Sequence, residues 1–168
     1  MARSAVLNFM KQQGFTQEPP DRATLRFQGL QFQPTIVGSI MLVGILTQSP
    51  AIFLLFSAIL WLNVLVPAAN PFEQVYNRFV ARPRGRPPLT PAPGPRRFAQ
   101  GMAATFMLAA ALTLLQGWRV ASYVFQGLLV VAFAALLLGK FCLGAYVYHL
   151  LKGNVALANG TCPWSDSA

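Results

Sequence analysis

The sequence predicts an all-α fold: a polytopic membrane protein with about four transmembrane helices in two hairpins, plus short interfacial amphipathic helices. Of the 168 residues, 55% are hydrophobic and only 10% are charged, whereas soluble domains carry about 25% charged residues. The apolar residues also form long runs with the basic residues lying between and beside them, as expected of helices that face lipid. A chain of this length suffices for one bundle rather than several domains.

The first predicted hairpin covers residues 34–66 and follows an N-terminal cytoplasmic or interfacial segment over residues 1–33. Its two apolar runs, over about 30–46 and 50–66, are separated only by residues 47–49. Each run has about 17 residues, the lower limit for crossing a hydrocarbon core of about 30 Å. The second run is apolar on every face, which predicts burial in lipid or in protein.

Residues 67–97 are predicted to contain an interfacial helix and a basic, proline-rich cytoplasmic loop. Asn70, Pro71 and Glu73 have the order of a helix cap, a first helical residue and an early acidic residue. Apolar residues then recur at helical spacing, as in helices that lie at the headgroup level. These apolar residues are Phe72, Val75, Tyr76, Phe79 and Val80. Residues 82–97, RPRGRPPLTPAPGPRR, should be extended and polyproline-like, because proline lacks a backbone donor.

The second predicted hairpin covers residues 98–152, with apolar runs at 98–115 and 120–138 and a tight turn between them. Gly139 and Lys140 interrupt the last run, about twenty residues from the turn, so Lys140 should snorkel at the cytoplasmic interface. The alternative is a mid-membrane Lys140, which would make this residue functional by default. Residues 141–151 should continue as a helix along the inner surface, before a cytoplasmic tail at 153–168.

The positions of lysine and arginine predict the orientation. Four precede residue 34, six lie in the central loop and two follow residue 138, against a single Arg119 in the two hairpin turns. The positive-inside rule therefore places both termini and the central loop in the cytoplasm of a bacterial inner membrane. The first twelve residues contain no apolar core of signal-peptide length, so we expect the N-terminus to be retained.

The net charge of +9 predicts attraction to anionic lipid headgroups rather than to nucleic acid, because the basic residues lie beside the apolar runs. Other membrane protein subunits are the second expected partner. The residues predicted to contact lipid or partner are Arg78, Arg82, Arg84, Arg86, Arg96, Arg97, Phe72, Tyr76 and Phe79.

Catalysis requires titratable groups that converge, and the sequence predicts no such arrangement. Its acids lie outside the predicted spans, and no metal-ligand spacing or phosphate-binding loop occurs. The four acids are Glu18, Asp21, Glu73 and Asp166. We therefore expect neither an enzyme nor a bound metal or cofactor. His149 is the one candidate for cofactor binding, although polar anchoring in an aromatic belt also explains a lone histidine there.

Two segments resemble a bacterial membrane family known as domain-of-unknown-function family 4395. They are PRRFAQ at residues 95–100 and FCLG at residues 141–144, and the likeness extends from about residue 26 to 153. The resemblance implies the four-helix arrangement but supplies no activity. Family members commonly have a second cysteine three residues after the first, where this chain has Ala145, so Cys142 has no adjacent resolving partner for thiol–disulfide chemistry.

The function expected from these features is that of a non-catalytic accessory subunit in a larger bacterial membrane complex, with a respiratory or photosynthetic host possible. A small oligomeric transporter or channel is one alternative, and a redox or pigment-binding helper that uses Cys142 or His149 is another. The polar residues available to line a transport path are Ser39, Ser57, Asn63, Thr105 and Thr113.

Overall fold

The structure is a computed structural model that describes residues 2–15 and 20–162, without the side chains of 2–4 and 20–22. Every regular element in this part of the chain is helical. The helices are α1 (Ala2–Gln12), α2 (Pro20–Thr47), α3 (Pro50–Leu65), α4 (Pro71–Tyr76), α5 (Gly94–Leu115), α6 (Arg119–Leu137), α7 (Leu143–Leu151) and α8 (Val155–Gly160). The predicted acids Glu18 and Asp166 lie outside the described residues, as does part of the predicted C-terminal tail.

Three helices are long and apolar enough to cross a membrane: residues Ala23–Thr47 of α2, all of α5 and all of α6. Helix α3 is equally apolar but has only 16 residues. The prediction of an all-helical membrane protein is thus confirmed at this level.

Helix α2 runs without a break through Pro34, whereas the sequence placed a boundary there. Proline removes one backbone donor, yet the helix around it is retained because both of its ends are anchored by packing against α1, α4 and α6. The apolar span and the preceding Arg26 segment therefore form one rigid element. This continuity fixes the amphipathic N-terminal half of α2 relative to the rest of the bundle.

Both short turns occur where the sequence predicted them. Gln48 adopts φ 49° between α2 and α3, and Gly117 adopts φ 75° between α5 and α6. Glycine reaches this left-handed region without strain. At Gln48 the side-chain amide donates to the carbonyl of Ile45 and to Gln126 Oε1 of α6, which offsets the cost of the backbone conformation.

Four helices form an antiparallel bundle in which α5 is central. Helix α3 packs most extensively on α5 rather than on α2, its neighbour along the chain. Ser57 of α3 donates to the Ala104 carbonyl of α5, and Ser122 of α6 donates to the Ala110 carbonyl. The small residues of α5 permit this close approach of helices, and Ala104, Ala110 and Ala111 are fully buried.

The outward faces of these helices are apolar and exposed. Leu46, Leu65, Val120 and Leu138 each expose more than two thirds of their surface. Contiguous apolar surface on this scale marks contact with a membrane or with another protein. The fold therefore places its apolar residues both inside the bundle and around it.

The short helices α1, α4, α7 and α8 lie around the end of the bundle at which α5 begins. Helix α6 ends at Leu137, and Lys140 adopts φ 51° in the break before α7, which confirms the predicted interruption. Helix α7 then packs on α5. At Gly144 an added Cβ would lie 2.6 Å from the Cα of Ala99, so only glycine allows this crossing.

Candidate binding cavity and basic surface

Helix α4 begins as the sequence predicted. The Asn70 side chain accepts a hydrogen bond of 3.1 Å from the backbone nitrogen of Phe72, and Pro71 occupies the first turn. The Asn70 amide also donates to Gln33 Oε1 of α2 at 3.1 Å. The cap therefore satisfies an orphan helix donor and joins α4 to α2.

Gln33 Oε1 is the centre of a buried polar cluster. Besides Asn70 Nδ2, it accepts from Gln100 Nε2 at 3.1 Å and from Arg96 Nη2 at a longer 3.5 Å, both of α5. Gln33, Gln100 and Arg96 each expose less than a tenth of their surface. One carbonyl oxygen has two lone-pair directions, so three donors crowd this acceptor and the cluster is tightly constrained.

Arg96 has its counter-charge in Glu73 of α4, with 3.9 Å between Nη2 and Oε1 and both side chains 7% exposed. Burial raises the pKa of the Glu73 carboxyl above its usual value, and the nearby Arg96 and the Asn70 amide offset part of that rise. The sequence placed Arg96 among lipid or partner contacts, whereas in the structure its guanidinium points into the protein toward Gln33 and Glu73.

A half-enclosed cavity of about 100 Å³ lies beside this cluster. Its polar wall consists of Gln13, Gln33, Arg96, Gln100 and Cys142. The remaining wall is apolar and includes Phe9, Leu30, Val37, Leu60, Phe133 and Leu136. Among the described residues, Gln100 Oε1 is buried without a hydrogen-bond partner. An unpaired buried acceptor costs about 1–3 kcal/mol, which a bound donor would relieve.

Helix α1 closes the cavity on one side. Gln12 Oε1 accepts from the Cys142 backbone nitrogen at 2.8 Å, and the Gln12 carbonyl lies 2.9 Å from His149 Nε2. Burial raises the pKa of the Cys142 thiol above its ordinary value. Thiolate is the reactive form of cysteine, so this environment disfavours nucleophilic or redox chemistry at Cys142.

His149 is buried, with Nδ1 lacking a partner in the described part of the chain. Its contact with Gln12 identifies a packing role between α7 and α1, instead of the predicted place in an exposed aromatic belt. The described residues contain no group of three or more histidine, cysteine or acidic side chains that could hold a metal. His149 therefore has one unpartnered ring nitrogen and belongs to no such group among the described residues.

Residues 82–93, the strap, are pinned to the bundle by their own chain. The Asn77 amide donates to the Leu89 carbonyl at 2.9 Å, and the Leu89 nitrogen donates back to Asn77 Oδ1 at 2.7 Å. Leu89 is buried, and Arg26 Nη2 lies within 3.4 Å of the Pro88 carbonyl and 3.3 Å of Thr90 Oγ1. The last predicted loop residues, from Gly94, instead form the first turn of α5, where Pro95 is well tolerated.

Pinning the strap leaves four side chains facing outward, which we term the basic–aromatic surface. Arg78, Phe79, Arg82 and Arg84 are all exposed, Phe79 by 67%. These four of the predicted contact residues are available for lipid or a partner.

The other predicted contact residues are engaged within the chain to differing degrees. Arg86 is half-buried and donates to Gln28, and Arg97 donates to the Val64 carbonyl through Nε at 3.0 Å and Nη2 at 2.6 Å. Phe72 is half-buried against the core of the bundle. Tyr76, also predicted as an external contact, is 3% exposed and packs on Phe32 inside the protein.

The residues considered for a transport path do not share one surface. Ser39, Thr105 and Thr113 donate to carbonyls of their own helices, a common arrangement for hydroxyls in apolar helices. Ser57 bonds to α5, and Asn63 is the one of these five residues whose side-chain polar atoms are both buried without a partner in the described part of the chain. This distribution gives the transporter alternative little support.

The described residues form an all-helical protein with three helices long and apolar enough to cross a membrane, and with a largely apolar cavity that has one polar wall. A family model described as "Domain of unknown function (DUF4395)" matches residues 27–152, and the chain belongs to this family. Comparison with curated proteins and with solved structures returns no match. The two segments that carried the resemblance in sequence, 95–100 and 141–144, both contribute residues to the cavity wall.

Sequence reasoning missed the glutamines of the cavity. Gln12, Gln13, Gln33 and Gln100 are all buried, although glutamine is usually exposed. For two of them the sequence did contain an indication, since Gln33 and Gln100 each lie near the start of an apolar run. A polar side chain at that position is equally compatible with the headgroup region, and only the packing of α2 on α5 distinguishes the two.

Proposed function

We propose that this protein is a non-catalytic accessory subunit of a larger complex in the bacterial inner membrane. In this proposal α2, α3, α5 and α6 cross the membrane as two hairpins, with both termini and the strap in the cytoplasm. The distribution of lysine and arginine supports that orientation. The apolar outer faces of the four helices support contact with lipid and with neighbouring subunits.

The basic–aromatic surface is the observation that carries the proposal. Two of its four exposed side chains lie in the π-helical turn after α4 and two lie at the start of the strap. The strap is held by the paired Asn77–Leu89 hydrogen bonds. A surface that is ordered before binding loses less conformational entropy when a partner arrives. Aromatic and arginine side chains are also those most enriched at interface centres, and arginines attract anionic headgroups at about 1 kcal/mol each.

The test is purification of the C-terminally tagged chain in mild detergent, with mass spectrometry and an absorption spectrum of the same eluate. We expect a stoichiometric set of membrane subunits to co-purify with the wild-type chain. The combined change Arg78→Ser, Phe79→Ser, Arg82→Ser and Arg84→Ser should remove that set and leave the expression level unchanged. Arg119→Ser, an exposed arginine at the opposite end of the bundle, is the matched control and should retain it.

Two results would contradict the proposal. Purification of a clean single species from mild detergent would argue against an accessory role. Retention of every subunit by the fourfold variant would exclude the basic–aromatic surface as the interface. Reporter fusions after residues 48, 85, 117 and 160 test the orientation separately, with 85 and 160 expected on the cytoplasmic side.

A further inference from the structure

The cavity beside Gln33 has the volume and walls of a site for a small organic group. About 100 Å³ exceeds the roughly 30 Å³ of liquid volume that one water molecule occupies, and an apolar cavity of about 150 Å³ can hold benzene. Most of its wall is contributed by aliphatic and aromatic side chains. The cavity is smaller than one that holds benzene but only half-enclosed, so it can receive part of a largely apolar molecule, such as one ring, with the rest of that molecule outside.

The polar wall determines which hydrogen-bonding groups the bound molecule, the guest, must carry. Gln100 Oε1 is an acceptor without a donor among the described residues, while its Nε2 is already committed to Gln33. The guest must therefore donate a hydrogen bond at this point. Arg96 lies on the same wall, and its guanidinium has several N–H groups, so it can donate to an acceptor on the guest. Because Arg96 already has Glu73 as its counter-charge, the guest need not be an anion.

A hydroxyl attached to a ring meets these requirements with one atom, since it donates one hydrogen bond and accepts another. A fully ionised carboxylate or phosphate would satisfy Arg96 but leave Gln100 Oε1 without a donor, at the cost of an unpaired buried acceptor. Water alone would satisfy the polar wall but leave the apolar wall hydrated.

We propose that this cavity binds the ring of a phenol- or quinol-class amphiphile. Its hydroxyl donates to Gln100 Oε1 and accepts from Arg96, and its ring packs between Phe9 and Phe133. The apolar tail of the amphiphile extends from the half-enclosed cavity. This is a binding site only, with no chemical step assigned, and it does not depend on the accessory role proposed above.

The first test is titration calorimetry of the purified full chain with three compounds that carry a straight alkyl tail of nine or ten carbons. These are decylhydroquinone, decylbenzene and decanoic acid. We expect saturable one-to-one binding of decylhydroquinone, with decylbenzene at least tenfold weaker because it lacks the hydroxyls. Tighter binding of decanoic acid would overturn the ring assignment, and the absence of saturable binding by any of the three would overturn the site.

Two variants connect the binding to the cavity. Gln100→Leu removes the unpaired acceptor at similar volume and should weaken decylhydroquinone about tenfold, as expected for one lost hydrogen bond. Ala103→Leu places a larger side chain in the cavity wall and should abolish binding. The matched controls Gln116→Leu and Ala58→Leu lie on exposed positions and should bind like the wild type.

A check that each variant is folded separates a loss of binding from a loss of stability. Circular dichroism and gel filtration establish that each variant is folded before titration. If Ala103→Leu is folded and binds decylhydroquinone as the wild type does, the ligand lies elsewhere and the proposal is wrong. Unchanged affinity in folded Gln100→Leu would overturn the assigned hydrogen bond.

Discussion

The two ends of the bundle are held together by different forces. At the end that carries the turns at residues 47–49 and 116–118, an apolar core includes Phe53, Met107 and Leu129. At the opposite end, side chains far apart in sequence are hydrogen-bonded to one another and to backbone groups, as in Asn77 with Leu89. The first end depends mainly on its apolar core, with a few hydrogen bonds such as Gln48 to Gln126 beside it, whereas the second end adds a larger buried polar cluster and the Arg96–Glu73 pair to its own apolar core.

This difference has a consequence for tolerance to substitution. Apolar cores accept swaps that conserve volume at modest cost, whereas a buried polar cluster fails when one member leaves another unpaired. The polar end should therefore be the more sensitive half of the molecule.

Arg96→Met should have the largest effect. The change leaves the buried Glu73 carboxylate without its counter-charge, and breaking a buried pair in this way costs about 3–5 kcal/mol. The free energy of unfolding, measured by denaturation with sodium dodecyl sulfate in mixed micelles, checks this value. Arg97→Met is the control, because within the described residues its half-buried guanidinium bonds to the Val64 carbonyl and to no carboxylate. A cost equal to that of Arg96→Met would contradict the comparison.

Gly144→Ala should have the next largest effect on the free energy of unfolding. The new methyl group would lie 2.6 Å from the Ala99 Cα, so α7 must move away from α5 at a cost of about 1–3 kcal/mol, typical of overpacking. Gly127→Ala is the matched change, because no described atom outside the neighbouring backbone of α6 lies within 4 Å of the added Cβ. That variant should be more stable than the wild type by up to about 1 kcal/mol through helix propensity, and destabilisation by both would show that α6 is also packed there.

Asn77→Ala tests the attachment of the strap. The change removes two hydrogen bonds and leaves the Leu89 backbone groups unpaired, which should cost about 1–2 kcal/mol. Limited proteolysis should then cleave near the arginines of the strap, whereas the wild type resists. Asn159→Ala removes an exposed hydrogen bond to Tyr146, so it should leave the cleavage pattern unchanged.

The smallest expected effect is the contribution of Glu73 to the pH dependence of the free energy of unfolding. Because its pKa is raised in the folded chain, the folded state holds a proton that the unfolded state releases between the ordinary pKa and the raised one. Stability should therefore fall as pH rises through that window. Glu73→Gln should abolish this slope in denaturation curves recorded at several pH values, and an unchanged slope would assign it to another group.

The sequence predicted the features that depend on neighbouring residues. The cap at Asn70, the turn at Gly117 and the break at Lys140 follow from local preferences of capping, glycine and charge. The polar cluster could not be predicted in this way, because Gln33 and Gln100 meet across 67 positions of chain.

Arg96 and Arg97 show most directly what could not be predicted from the sequence. They are identical and adjacent in sequence, and both were predicted as surface contacts. Consecutive residues on a helix point about 100° apart, so the rotation of α5 turns Arg96 toward Glu73 and leaves Arg97 beside Val64. That rotation is set by the packing of α3, α6 and α7 on α5, which local periodicity does not contain.

The preference of α3 for α5 also bears on biosynthesis. In the proposed topology the first hairpin leaves the ribosome before α5 exists, so Ser57 and Asn63 meet lipid without the helix that later covers them. Polar groups in hydrocarbon are costly, and α3 has only 16 residues with which to hold its position. Truncation after residue 93 should therefore yield a hairpin that is extracted from the bilayer or degraded, and insertion becomes secure only once α5 has been translated.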